Sequence, residues 1–258
     1  MSDSPILELK QLTKRFGGLT AVGEVSLKVR EGGITGLIGP NGAGKTTIFN
    51  LITGVYKVSS GEILFQGKSI TNGDSWQIAQ AGVTRTFQNI RLFKNLSAFD
   101  NVLTACHGAA RYGLAEALLR LPRFRREERA LREKAIGLLD IMGLADRADV
   151  LANNLPYGLQ RRLEITRALA LDPKLILLDE PAAGMNPDET LHLMKLIGEI
   201  RDSFKLSVLV IEHHMDLIMG VCEHIHVLNF GCTLADGTAD SVANDPRVVE
   251  AYLGAEEE

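Results

Sequence analysis

Cysteine is scarce in this chain: three residues, Cys106, Cys222 and Cys232, among 258. The count is odd and the spacing fits no metal motif, so reduced thiols in a cytosolic protein are expected. Surplus positive charge is also missing. The formal net charge is −4, which leaves no bulk electrostatic grip for nucleic acid and excludes it as an expected partner. No apolar run is long enough to cross a bilayer, so a role at a membrane needs another chain to span it. The opening "MSDSPILELK" has neither a basic nor an apolar leader segment, and no signal peptide is expected. Internal repeats and low-complexity linkers are absent as well. What remains reads as ordinary globular protein, 45% hydrophobic and 23% charged, long enough for one large α/β domain or two small lobes.

The first third alternates strand-like runs with glycine turns. "ILELKQLTKRF", "VSLKV", "ITGLIG", "GEILFQG" and "GVTRTFQ" read as strands, and "KTTIFNLITG" as a helix closed by Gly54. From about Asn89 to Ala170 the chain turns helical. Leu131, Ala135, Leu138 and Leu139 fall at helical spacing as a buried stripe, and the mixed charges from Arg125 to Lys134 form a solvated face or a contact with headgroups or a partner. After Leu171 the βα rhythm returns. "KLILLDE" and "LSVLVIEH" are near-continuous apolar runs of the kind buried in a parallel sheet. "PDETLHLMKLIGEIRDSF" is a helix starting at Pro187, with Leu193, Ile197 and Ile200 on one face. "MDLIMGVC" is another helix, "HIHVLNFGCTLADG" a hairpin around Phe230–Gly231, and the tail "GAEEE" is expected to fray.

Residues Gly39, Pro40, Asn41, Gly42, Ala43, Gly44, Lys45 and Thr46 spell "GPNGAGKT", the full phosphate-loop pattern, with an apolar strand before it and a helix after it. The glycines let successive N–H groups turn toward phosphate oxygens, and the helix N-terminus adds its positive end. Lys45 suits the β/γ-phosphates, the Thr46 hydroxyl suits Mg²⁺, and Thr47 is a second phosphate contact. Asp179 and Glu180 close the apolar run Leu175–Leu178, where buried parallel strands meet a ligand crevice. Asp179 suits a Mg²⁺ shell and Glu180 an attacking water. Taken alone, the two acids fit an ion-paired strand end equally well.

A phosphate loop, an acidic strand end and, between them, "NNLPYGLQRRLEITRALALDP" resemble the ATP-binding cassette (ABC) proteins over essentially the whole chain. The resemblance implies an α/β P-loop NTPase fold. One ABC ATPase domain over residues 1–258 would hold a RecA-like core, an antiparallel β arm and a helical subdomain inserted at about 89–170. It implies ATP and Mg²⁺ as ligands. It further implies that Gln88 senses Mg²⁺ and γ-phosphate, that His213 is the switch histidine at the last core strand, and that Phe16 stacks on adenine. On the residues alone, Phe16 is also a core candidate and His213 a cap or surface residue. His214, adjacent to His213, points elsewhere. Ile90, Leu92 and Phe93 would seat a permease helix, or form local core.

Two departures from the family pattern stand out. Asn186 replaces the usual Asp at the end of "AAGMN", and the signature Leu-Ser-Gly-Gly-Gln is here Leu155-Pro156-Tyr157-Gly158-Leu159, followed by Gln160. Gly158 is retained, so the helix N-terminus is expected to reach ATP held by a second subunit in a homo- or heterodimer, with a weaker or rearranged grip. Arg161 and Arg162 are expected to brace the insert. The "YGLQRRLEITRAL" helix, the long insert and the ending "VVEAYLG" look closest to the longer ATPase of branched-chain amino-acid importers. That implies MgATP hydrolysis at the cytoplasmic face of the inner membrane, with two permease subunits and, indirectly, a solute-binding protein. A urea or other small-solute transporter, a soluble non-transport ABC ATPase and a P-loop small-molecule kinase are the alternatives.

Overall fold

The computed structural model describes residues 4–110, 112–212 and 215–253. His213 and His214, Gly254 and the acidic tail lie outside them. The chain forms two compact units, one built from residues 1–88 and 174–258, the other from residues 89–173.

In chain order the first unit opens with β1 (Pro5–Phe16), β2 (Leu19–Arg30) and β3 (Ile34–Ile38). It continues with α1 (Lys45–Ile52), β4 (Ser60–Phe65), β5 (Lys68–Ser69), α2 (Ser75–Ala81) and β6 (Val83–Arg85). The second unit holds α3 (Ala98–Cys106), α4 (Leu114–Leu118), α5 (Pro122–Ile141) and α6 (Tyr157–Leu169). The first unit resumes with β7 (Leu175–Asp179), α7 (Pro187–Phe204), β8 (Ser207–Ile211), α8 (Met215–Val221), β9 (His224–Asn229), β10 (Cys232–Gly237), α9 (Ala239–Ala243) and α10 (Pro246–Leu253).

Two sheets organise the first unit. An antiparallel sheet runs β2-β1-β4-β5, and a six-stranded sheet runs β10-β9-β3-β8-β7-β6. In the second sheet β3 pairs in parallel with β8 and β9, and β7 with β6 and β8. Strands β3, β7 and β8 are buried at every position, which is why their sequences are apolar runs without alternation. β2 is longer than "VSLKV" because the half-buried stretch Leu19–Gly23 pairs with the end of β1 across several bulges. β6 is shorter than expected and ends at Arg85: Thr86 still donates its N–H to the Leu177 carbonyl at 2.9 Å, but its side-chain hydroxyl, not a backbone carbonyl, accepts the Asp179 N–H at 3.2 Å.

In the second unit α3 packs on α5 and α6. The α5 residues that bury are Leu131, Ala135, Leu138 and Leu139, the stripe read from spacing. α7 spans Pro187–Phe204 and buries Leu193, Ile197 and Ile200 together with Leu196. No described helix is long and apolar enough to cross a membrane.

Candidate nucleotide site

Parallel strands deliver their loops at one edge, and here five of them do so: the turn after β3, Gln88 after β6, Glu180 after β7, Glu212 after β8 and Phe230 after β9. A cavity of about 480 Å³ opens there, lined by Asn41–Thr47, Gln88 and Glu180 and by Thr20 and Phe230.

The loop is shaped by its glycines. Gly44 caps α1 at φ 100°, where a Cβ would sit 2.7 Å from the Ala21 carbonyl oxygen. Gly39 lies at φ 147° with the Leu228 carbonyl oxygen 2.1 Å from any Cβ, so only glycine lets the loop pass β9. Lys45 is 5% exposed and donates to the Gly39 and Pro40 carbonyl oxygens at 2.6 and 2.9 Å. Burial pushes its ammonium below the ordinary lysine value, while the Glu180 and Asp179 carboxylates pull it back up. Thr46 is exposed and Thr47 half-buried, both on the cavity wall.

Gln88 and Glu180 meet, the Gln88 Nε2 donating to Glu180 Oε2 at 2.8 Å. Glu180 stands just past β7 at φ 46°, a left-handed conformation that costs a non-glycine residue about 1–2 kcal/mol. Its N–H is held by the Ile211 carbonyl at 2.9 Å and its own carbonyl accepts from Ala183 at 3.2 Å. Strand pairing on one side and the following turn on the other keep the carboxylate aimed into the cavity.

Asp179 is almost wholly buried and forms an ion pair of 2.8 Å with Arg85. Arg85 also donates to Asn50 Oδ1 at 2.6 Å and stands 4.8 Å from the Phe87 ring. Sequence reading overlooked Arg85; a single arginine in the strand-like run before Gln88 was the available signal. It overlooked Glu212 too. Glu212 is 1% exposed, and its Oε1 accepts from the Ala182 N–H at 2.8 Å, holding the turn after Glu180. The signal there was an acid closing an apolar strand, the same pattern as Asp179 and Glu180. His213 lies outside the described residues.

Phe16 is the last residue of β1, and at 41% exposure it is not a core side chain. Its ring packs edge-on against Tyr56 at 5.2 Å and under Lys14 Nζ at 4.7 Å. It does not line the cavity of the phosphate loop. Asn186 caps α7 through a reciprocal capping box, accepting from the Glu189 N–H at 2.9 Å while Glu189 accepts from the Asn186 N–H at 3.1 Å. For capping, asparagine serves as well as aspartate.

In the second unit Pro156 is the N-cap of α6, and Gly158 sits in the first turn. The first α6 bond runs from Gln160 N–H to the Pro156 carbonyl at 3.0 Å, so the amides of Tyr157, Gly158 and Leu159 form the open positive end. Arg161 is fully buried and pairs with Glu164 at 2.8 Å; Glu164 in turn accepts from the Arg91 N–H at 3.1 Å. That is bracing within the insert. Ile90 and Leu92 are half-buried, and Phe93 is exposed under the Arg167 guanidinium at 4.7 Å, so none of the three is buried core.

A family model described as ABC transporter matches residues 22–183, from β2 to the turn after Glu180. The chain belongs to the ABC transporter family. It is a nucleotide-binding ABC ATPase with the α/β cassette fold. A second model, described as branched-chain amino acid ATP-binding cassette transporter, matches residues 232–258. The cassette is 47% identical over 250 residues to the high-affinity branched-chain amino acid transport ATP-binding protein BraF of Pseudomonas aeruginosa, covering 97% of this chain and 98% of that one. Among solved structures, the ADP conformation of MJ1267, an ATP-binding cassette of an ABC transporter, superposes with a TM-score of 0.85 at 33% identity, covering 97% and 99%. A dimeric post-hydrolysis state of the cassette MJ0796, bound to ADP and Pi, superposes with a TM-score of 0.75 at 25% identity, covering 90% and 98%.

Proposed function

We propose that this cassette is the ATP-hydrolysing subunit of an importer for branched-chain or other hydrophobic amino acids. It works at the cytoplasmic face of the inner membrane, paired with a second cassette and bound to two permease subunits, with a solute-binding protein supplying the amino acid. The observation that carries the reading is the match of residues 232–258 to the branched-chain transporter model, on a chain that also holds a phosphate-loop cavity.

The residues present fit a magnesium nucleotide. The loop leaves a walled space of about 480 Å³ beside a buried lysine, and Thr46 and Gln88 bring to its wall the hard oxygen donors Mg²⁺ takes; Asp179, held by Arg85 and not on that wall, is assigned to the Mg²⁺ shell through water. Bound Mg²⁺ supplies charge neutralisation to the phosphates. The loop amides and Lys45 hold the β- and γ-phosphates, Thr47 adds a hydroxyl, and Phe16, beside Tyr56, offers an aromatic face to adenine. Glu180 takes the proton of the attacking water, Gln88 orients that carboxylate, and His213 is assigned to the γ-phosphate. The open end of α6, with Gly158 in its first turn, is assigned to the nucleotide of the second cassette. Losing the signature serine removes one neutral donor, about 0.5–1.5 kcal/mol, while the helix end keeps its own 0.3–1 kcal/mol or so.

The test is reconstitution in liposomes with a branched-chain amino-acid permease pair and solute-binding protein from the same source. ATP-dependent uptake of labelled leucine is expected, and uptake vanishes with Glu180→Gln. Failure of the chain to join the permeases, or leucine uptake that does not need it, overturns the proposal.

A further inference from the structure

Far along the second sheet, outside the nucleotide cavity, His224 and His226 stand two residues apart on β9 and therefore on one face of the strand. Asp236 of β10 pairs directly with His226 in the antiparallel register. The three side chains converge. His224 Nε2 lies 2.5 Å and His226 Nδ1 3.0 Å from the same Asp236 Oδ1, and all three donor atoms fall within 4.8 Å of one another.

His226 is the informative member. It is 3% exposed, and its Nε2 faces the Lys28 carbonyl oxygen at 3.3 Å. A carbonyl only accepts, so Nε2 carries the hydrogen and Nδ1 presents its lone pair. That lone pair is buried, has no hydrogen-bond partner among the described residues, and lies 3.0 Å from a carboxylate oxygen. A buried lone pair and a carboxylate oxygen at 3.0 Å repel unless a cation, a proton or a metal ion, lies between them. An imidazole whose far N–H is held by a backbone carbonyl is also how metal-bound histidine is usually oriented.

We propose that His224 Nε2, His226 Nδ1 and Asp236 Oδ1 form a binding site for a late first-row divalent transition metal, Zn²⁺ above all. Two imidazoles and one carboxylate suit that class and not Mg²⁺, which takes oxygen ligands. With metal–ligand bonds of about 2.0–2.2 Å, tetrahedral ligand atoms sit roughly 3.3 Å apart. The His226–Asp236 separation of 3.0 Å is close to that. The His224–Asp236 contact opens by a small turn of the exposed Asp236 side chain. The fourth position faces a cavity of about 540 Å³ that Glu8, Lys10, Lys28 and Arg30 also line. The two lysines stand opposite Glu8, at 3.7 and 3.4 Å. Metal ligation needs neutral imidazoles, so affinity rises with pH. The hairpin that carries the site also carries Phe230 and Gly231 to the nucleotide cavity.

The experiment uses the untagged full-length chain stripped with EDTA. Calorimetric titration with Zn²⁺ is expected to show one ion per chain at micromolar or tighter affinity, undisturbed by millimolar Mg²⁺. Asp236→Asn and His226→Gln each weaken it by about 100-fold or more. Cys232→Ser, which removes the exposed thiol of the same hairpin, leaves it intact. Co²⁺ is expected to give visible absorption bands that Asp236→Asn abolishes. Unchanged MgATP turnover in Asp236→Asn, a surface position, shows that this variant folds. Absence of a stoichiometric Zn²⁺ site, leaving a proton-bridged His224–Asp236 pair only, overturns the proposal. So does Zn²⁺ affinity that survives Asp236→Asn.

Discussion

Arg85→Met removes a cation and leaves its buried anion behind. The Arg85 and Asp179 side chains are 7% and 2% exposed, and their 2.8 Å pair lies between the strands that frame the nucleotide cavity. Breaking such a pair from one side costs about 3–5 kcal/mol, because the surviving carboxylate has no water to turn to. Arg85 also supplies Asn50 with a donor at 2.6 Å, which methionine cannot replace. For a protein of this size each kcal/mol moves the melting temperature by about 2–4 °C, so a fall of about 6–20 °C is expected. Adding Asp179→Asn removes the stranded charge, and the double variant is expected to recover at least about 1 kcal/mol relative to Arg85→Met alone. Thermal and urea unfolding should be measured in EDTA without nucleotide, so that ligand binding does not mask the difference. A single variant melting within about 2 °C of the parent, or a double variant no more stable than Arg85→Met, refutes the assignment of Arg85 as the support of Asp179.

Three further outcomes follow from particular contacts. Glu180→Gln keeps an oxygen for the Gln88 amide, so ATP affinity is expected to hold while phosphate release slows by about 10²–10⁴-fold; turnover at the parent rate would exclude Glu180 as the base. Gly39→Ala drives a methyl to 2.1 Å from the Leu228 carbonyl oxygen, and fluorescent-ATP titration is expected to show affinity lowered by at least about tenfold, since even about 1.4 kcal/mol of strain has that effect. Burial raises the Cys222 thiol to about 12. Its neutral form is the native one, so the unfolded chain loses that proton first. The stabilisation is complete below about pH 9, the value for a free thiol, and is lost as pH climbs from there toward 12, by at most about 1.4 kcal/mol per unit. Alkylation at pH 8 should accordingly label exposed Cys232 rapidly and buried Cys106 and Cys222 only on unfolding, and equal rates for all three would contradict the burial.

Local patterns in the chain were enough to specify the elements that matter most. A full phosphate-loop motif between an apolar run and a helix, glycines where the backbone must take positive φ, and uninterrupted apolar runs for strands buried on both faces all follow from short-range sterics and burial. The α5 stripe and the α7 start at Pro187 follow from helical spacing and capping in the same way. Pairing between distant segments lay beyond those patterns, because nothing local says which strands become neighbours. Only the order β9-β3-β8-β7-β6 brings Gln88 to Glu180, puts Arg85 on Asp179 and sets Glu212 behind the turn after Glu180. The same holds for His224, His226 and Asp236: Asp236 follows His226 by ten positions in the chain, and the β9–β10 register makes them direct partners. The sequence by itself determined which chemistry the chain carries. Long-range hydrogen-bond registry, a property of the folded sheet, decided which of those groups touch.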